Sequence, residues 1–415
     1  MRRLVAMNVA CLLLAWAPCA HAQSDILSPG TLHAEIDLRA GVAGGETGWL
    51  DDGFGKLREG GADGDTAARL RIASVDAAWT PTFAWGLSGL VSAVHQDGQH
   101  PAIDLNEAYL KYRSPPGPTR VTARAGVMWP PVSLEQGGPV WTVEDSITPS
   151  AINSWIGEEV KVLAGELTLH QHVGGGEVGL TAAVFRHDDT SGTLLSYRGW
   201  ALHDFRVTAN GELPLPPLSP FVAPYQYSET SPFLELDGRS GYYARIEWRP
   251  PQPFALSLFR YDNAGDRVSS KESQTAWRTR FWNIGAAASI DERTTLKAQA
   301  LWGNTLVGAD TPLGAPVDVD FRAAYALVGR SIGTGRVSAR ADWFETHDNS
   351  FQSADDNTEH GWSAMLAYKQ PFGRHLDGLA EVIHVDSNRP GRFLYGGIQA
   401  QQAQTLLQAS LRFHL

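Results

Sequence analysis

Cysteine is nearly missing from this chain. Its 415 residues hold two, Cys11 and Cys19, both within the first 22 positions. Once that stretch is removed, the chain has no disulfide framework and no thiolate metal ligand. Charge is also sparse. Asp, Glu, Lys and Arg make up 19%, against roughly 25% in ordinary soluble domains. The net charge of −11 excludes a generally basic nucleic-acid binder. Beyond residue 22 no apolar run reaches the length a membrane-crossing helix needs. Low-complexity tails and charge blocks are lacking too, which argues against wholesale disorder.

The first 22 residues have the composition of a secretory signal. Arg2 and Arg3 make a positive start, Leu4 to Trp16 is mostly apolar, and Ala20, His21 and Ala22 form a small-x-small cleavage site. Residues 1–22 are therefore expected to be cleaved, leaving 23–415 as a single exported domain. Ala17 and Pro18 before Cys19 make a poor lipoprotein signal.

What the chain has in quantity is alternation with period two. Leu32, Ala34, Ile36 and Leu38 alternate with His33, Glu35, Asp37 and Arg39. Val121, Ala123, Ala125 and Val127 alternate with Arg120, Thr122 and Arg124, and Leu407 to Leu415 repeats the pattern at the C-terminus. Sixteen such segments are legible: 31–40, 68–80, 84–96, 105–114, 119–128, 159–170, 177–187, 241–249, 253–262, 276–290, 294–303, 320–330, 335–345, 360–370, 375–386 and 404–415. In 84–96, 159–170, 253–262, 276–290 and 375–386 the phase is blurred, and bulges are expected there. A tilted strand of about ten residues crosses a bilayer.

The links between segments alternate in length. Short, turn-like links such as Ser114–Pro118, Pro250–Pro253, Asp291–Arg293 and Ser331–Thr334 alternate with long ones at 41–67, 97–104, 129–158, 188–240, 263–275, 304–319, 346–359 and 387–403. A membrane barrel with short periplasmic turns and long extracellular loops makes that asymmetry; a secreted sandwich has no reason to. Trp79, Trp85, Tyr112, Tyr242, Trp248, Trp302, Trp343 and Tyr368 sit near segment ends, as aromatic girdles require. The fold expected is all-β: a transmembrane, antiparallel, up-and-down β-barrel of about sixteen strands.

Export signal, strand count and alternating C-terminal strand together resemble Gram-negative outer-membrane porins. The run Val127 to Gln136, following a strand with alternating Arg, is similar to a segment of the phosphate-selective porin family. The segments Trp49 to Lys56 and Thr148 to Gly157 resemble parts of an uncharacterised porin-like outer-membrane family. The resemblance implies an outer-membrane location, among lipid and lipopolysaccharide. It implies recognition of the last strand by the barrel-assembly machinery, and assembly as a homotrimer.

If the polar faces line the bore, basic residues dominate it. Arg39, Lys111, Arg113, Arg120, Arg124, Arg245, Arg249, Lys297, Arg322, Arg336, Arg340, Lys369 and Arg412 face Glu35, Asp37, Glu107, Glu247 and Asp342. Such a bore favours anions. Loop 129–158 is expected to fold inward and constrict it. That would set Glu135 and Asp145 against a basic side of Arg120, Arg124, Arg245 and Arg340. The function expected is passive diffusion of small polar or anionic solutes, with no catalytic residue, cofactor or metal. The alternatives are a plugged barrel acting through its long loops and, less favoured, an outer-membrane lipid hydrolase.

Two motif matches are discounted. Gly174 to Gly179 reads G-x-G-x-x-G without the following helix that would hold a pyrophosphate. Gly329 to Gly333 reads G-x-S-x-G without a strand-to-helix turn. His170 and His172 share a face but make a weak metal signal on their own. The aspartate pairs at 51–52, 188–189 and 355–356 lack a complete calcium-loop spacing.

Overall fold

The structure, a computed structural model, describes residues 26–61, 65–352 and 354–415; the expected signal segment 1–22 lies outside them. Sixteen long strands form the wall. In chain order they are β1 (Leu32–Gly44), β2 (Ala67–Trp79), β3 (Leu87–Gln96), β4 (Asp104–Arg113), β5 (Thr119–Met128) and β6 (Val162–Val173). Then come β7 (Gly176–Arg186), β8 (Gly241–Arg249), β9 (Phe254–Asp262), β10 (Arg278–Ser289) and β11 (Thr294–Val307). The last five are β12 (Val317–Ile332), β13 (Gly335–Asp348), β14 (Glu359–Pro371), β15 (Leu376–Asn388) and β16 (Gln401–His414). Each pairs antiparallel with the next, and β16 returns to β1 from Glu35 opposite His414 to Gly44 opposite Thr405. The sheet closes and has no free edge, which is what lets strands satisfy their backbone groups inside lipid.

The sixteen alternating segments correspond one for one to these strands. The turns follow local chemistry. Between β6 and β7, Gly174 and Gly175 both adopt positive φ (57° and 82°), the conformation a two-residue hairpin of right-handed twist demands. Register breaks lie beside Asp37 in the β1/β2 pair and beside Ser92 in the β3/β4 pair. The second agrees with the bulge expected in 84–96. In the other four blurred segments pairing is regular, so the bulges expected there are not formed. Their phase is blurred because the inward face is itself apolar. Val162, Ala164, Phe259, Tyr261, Phe281, Ile383 and Val385 are all buried inside the barrel.

The outer face is a belt of exposed apolar side chains, among them Leu167, Leu180, Val184, Ile246, Leu258, Ile284, Val328, Leu366, Val382 and Leu407. Tyr112, Tyr242, Trp248, Trp302, Trp343 and Tyr368 are exposed on the same face. Water does not tolerate so continuous an apolar surface on a monomer; hydrocarbon requires it. No helix among the described residues is long and apolar enough to cross a membrane.

The inside is occupied by chain. The connection after β5 forms α1 (Ala151–Glu159), and every residue of it is buried. Ser150 starts it by accepting the Asn153 backbone N–H at 3.3 Å, a typical N-cap. Ile152, Trp155 and Ile156 put apolar groups at i, i+3 and i+4. Trp155 lies 5.2 Å from Phe281 and from Phe321, and 6.0 Å from Trp200, by ring centroids. Phe281 and Phe321 belong to the wall; Trp200 belongs to the connection after β7. Burying each such side chain stabilises by about 1.5–3 kcal/mol. The barrel therefore carries a hydrophobic core within its bore.

Candidate functional site in the bore

The two connections are pinned to the inner wall by polar contacts. Backbone N–H groups of Ile147 and Thr148 donate to Glu381 of β15 at 2.7 and 3.0 Å. The Asn153 side-chain amide donates to Gln299 of β11 at 2.9 Å and to Glu135 at 2.6 Å. Arg412 of β16 donates to the Val143 carbonyl at 2.8 Å. From the second connection, Trp200 N–H donates to Glu359 of β14 at 2.9 Å. Asp204 pairs with Arg39 of β1 at 2.7 Å, and Arg206 with Asp76 of β2 at 2.9 Å. The connections also hold each other: His203 N–H donates to Ser154 at 3.0 Å and Val207 N–H to the Gly157 carbonyl at 2.8 Å.

Charges are buried at this level. Arg198 makes a two-pronged bond to Glu158, and the His203 ring lies 2.5 Å from the same carboxylate. Burial alone would push the Glu158 carboxyl up, but Arg198 and then His203 hold it down to about 2. Glu159 beside it makes no ion pair among the described residues. It accepts from the Trp155 indole and from the backbone N–H groups of Gly192 and Leu194, which open α2 (Thr193–Tyr197). Burial pushes Glu159 up to about 7. Lys56 meets Glu359 at 2.5 Å, yet burial holds its ammonium below its ordinary value. Among Asp37, Gln136, Asp204, Arg206 and Arg412 the remaining void is about 10 Å³, room for about one water.

Near the short turns the inner wall of β3 to β5 is not covered by the connections. A cavity of about 510 Å³ is lined by Trp85, Lys111, Arg113, Arg120 and His172. Lys111 and Arg113 make no ion pair among the described residues. Arg120 meets Glu177 at 3.3 Å, Arg124 clasps Glu166 at 2.7 and 2.8 Å, and Arg245 meets Glu247 at 2.7 Å. These arginines pair with acids of the wall. The residues of the 129–158 connection meet different ones. Glu135 lies 3.2 Å from Arg340, which also holds Asp342 at 2.8 Å. Asp145 lies 2.8 Å from Arg336 and 2.9 Å from Lys297; burial would raise its carboxyl, but these two cations hold it below its ordinary value. Arg39 lies between Asp37 at 2.6 Å and Asp204.

One lumen assignment is corrected. Arg322 points outward, its side chain 60% exposed, because on β12 the inward positions are Val319, Phe321, Ala323, Tyr325 and Leu327, packed as core. The polar face of that strand is its outer one. Alternation alone misses Glu158, Glu159, Arg198 and His203, since they lie in connections. A signal for them exists: Ile152, Trp155 and Ile156 at helical spacing, and Leu194, Leu195, Trp200 and Leu202 nearby, are apolar residues that loops in water do not need. Asp189, Glu235 and Asp237 gather closely, but they accept loop N–H groups, including those of Asp237, Gly238 and Arg239.

No family model matches the chain, and no curated protein does. Solved structures do. The outer membrane channel DcaP of Acinetobacter baumannii is similar with a TM-score of 0.57 at 10% identity, over 94% of this chain and 100% of that one. An anion-selective porin from Comamonas acidovorans gives 0.53 at 10% identity, over 93% and 99%. Pseudomonas putida OprB gives 0.53 at 10% identity, over 93% and 94%. The chain thus has the fold of the outer-membrane porins. With its apolar outer belt, it is an integral outer-membrane β-barrel.

Proposed function

We propose that the chain is a porin-type channel for small anionic solutes, closed on its long-loop side by the connections 129–161 and 187–240. Solute passes when those connections yield. The observation that carries this reading is the charge of the uncovered part of the inner wall. Lys111 and Arg113 face a cavity of about 510 Å³ without acidic partners among the described residues, and Arg120 and Arg249 are partly exposed beside Glu177 and Glu247. Cationic walls concentrate anions and repel cations in a narrow channel. Arg340 with Glu135, and Arg336 with Asp145, would be the contacts that constrict the passage. In this reading no bond is made or broken and no catalytic group is needed.

A second reading has its own support. The bore segments are buried as completely as a soluble core, which suits a permanently plugged barrel acting through its long loops. Planar-bilayer recording across a KCl gradient separates the two. Discrete steps with an anion-selective reversal potential support the channel. Cation-selective steps overturn the anion preference. No steps from a folded barrel, in wild type and in a Glu158→Ala/Arg198→Ala variant alike, overturn the channel reading. In either case β16 presents Leu411 and Phe413 outward, which supports its recognition by the assembly machinery.

A further inference from the structure

The outer wall carries a basic cluster that the bore does not use. On β9 to β12 the outward residues form cross-strand rows. One row runs Arg260, Trp282, Trp302, Arg322; the next, one step nearer the long loops, runs Asp262, Arg280, Asn304, Asp320. One step toward the short turns the row is Leu258, Ile284, Ala300, Ala324. The apolar row thus gives way to one in which two indoles stand between Arg260 and Arg322, and that row to one holding Arg280 with Asp262, Asn304 and Asp320. Indoles settle at the boundary between hydrocarbon and headgroups, so Arg260 and Arg322 stand at that boundary and Arg280 one step beyond it, on the long-loop side.

Between them opens a cavity of about 500 Å³, lined by Arg260, Arg280, Trp282, Trp302, Asn304 and Arg322 among others. The guanidiniums are only partly engaged. Arg280 makes no ion pair among the described residues. Arg260 lies over the Trp282 ring, 5.2 Å from its centroid, with Asp262 at 3.7 Å. Arg322 meets Glu345 through Nε at 3.0 Å, and its side chain is largely exposed. Asp320 also lines the cavity, and its carboxylate accepts the side-chain amides of Asn304 and Asn349 at 2.9 and 3.1 Å.

We propose that this cavity docks the phosphorylated headgroup of an outer-leaflet glycolipid. Guanidinium forks match phosphate oxygens in number and direction, and three of them, from β9, β10 and β12, line this one cavity. The cavity opens sideways on the lipid face, and its floor of indole rings suits the junction of sugar and acyl chain. The inference rests on the barrel's place in the membrane, not on whether its bore conducts.

The test uses the full chain refolded in zwitterionic detergent, titrated with diphosphoryl lipid A and read by native mass spectrometry. Wild type is expected to retain the lipid. The triple variant Arg260→Gln/Arg280→Gln/Arg322→Gln should bind about tenfold more weakly or worse while keeping heat-modifiable migration. Phosphate-free lipid A should bind as weakly to wild type. Equal affinity of variant and wild type would overturn the proposal. So would displacement of lipid A by millimolar inorganic phosphate, which would indicate a site for free anions. If the triple variant does not fold, Arg280→Gln alone, which breaks no ion pair, should still weaken binding about threefold; no change there also overturns it.

Discussion

Arg198 and Glu158 face each other inside the barrel, with both guanidinium Nη groups 2.6 Å from the two carboxylate oxygens and neither side chain more than 1% exposed. The pair joins the end of α1 to the end of α2 across 40 residues of sequence. It ties together the two connections that fill the bore. A charge pair so placed stabilises little against an apolar pair of like size, but it penalises heavily any state in which one partner is left alone.

Single substitution should therefore be worse than double. Glu158→Ala or Arg198→Ala leaves a buried charge and is expected to cost about 3–5 kcal/mol, seen as faster proteolysis within 129–161 and 187–240 and as added conductance steps. Glu158→Leu/Arg198→Met should recover most of the loss. The Glu158 carboxyl is depressed to about 2, below its ordinary value near 4.5. Its contribution is thus complete above about pH 4.5 and is lost as pH falls through 2. A single variant as protease-resistant as wild type would remove this tie from the account.

Glu159 has the opposite sign. Its folded carboxyl is raised to about 7, so the folded state holds a proton that the unfolded state releases near pH 4.5. Stability of the filled bore should fall as pH rises from about 4.5 to 7 and level off above. Asp188 and Asp189, raised mainly by burial, act in the same direction. His203, lowered by burial, acts against them. The clean readout is the difference between wild type and Glu159→Gln: protease resistance at pH 5, 6, 7 and 8 should diverge across that window. Parallel curves would show that Glu159 is not the titrating group.

Arg120 and Arg124 flank the uncovered part of the inner wall. Replacing both by Ala leaves Glu177 and Glu166 without their guanidiniums. The anion-to-cation permeability ratio should drop by about half or more, read as a shift of reversal potential. An unchanged potential would take both residues out of selectivity.

The lipid belt makes a further demand. Ile284 faces outward in the row of Leu258, Ala300 and Ala324. Ile284 lies one step inside the boundary marked by Trp282, so Ile284→Arg should cost about 1–2 kcal/mol in folding into bilayers, and much less in short-chain detergent. Trp155→Ala, inside, should cost about 3–5 kcal/mol in both media. Urea titration of refolding in each distinguishes the two faces.

The sequence by itself determined the wall. Period-two alternation and alternating link lengths specify sixteen antiparallel strands, because a bilayer imposes one repeating demand on every crossing. Leu, Val and Ile face out wherever β-structure meets hydrocarbon, and turn residues such as Gly174 and Gly175 close each hairpin locally. What fills the bore was decided by tertiary structure. Whether Phe281, Phe321 and Tyr325 face water or Trp155 depends on where a connection over a hundred residues earlier comes to rest. No local period encodes that. The same distant contact turned the polar face of β12 outward, placing Arg322 on the lipid side. It also chose the partners of each lumen arginine. Arg340 meets Glu135 and Arg198 meets Glu158 because leaving such buried charges unpaired is costly, and only the packed chain settles which opposite charge lies within reach.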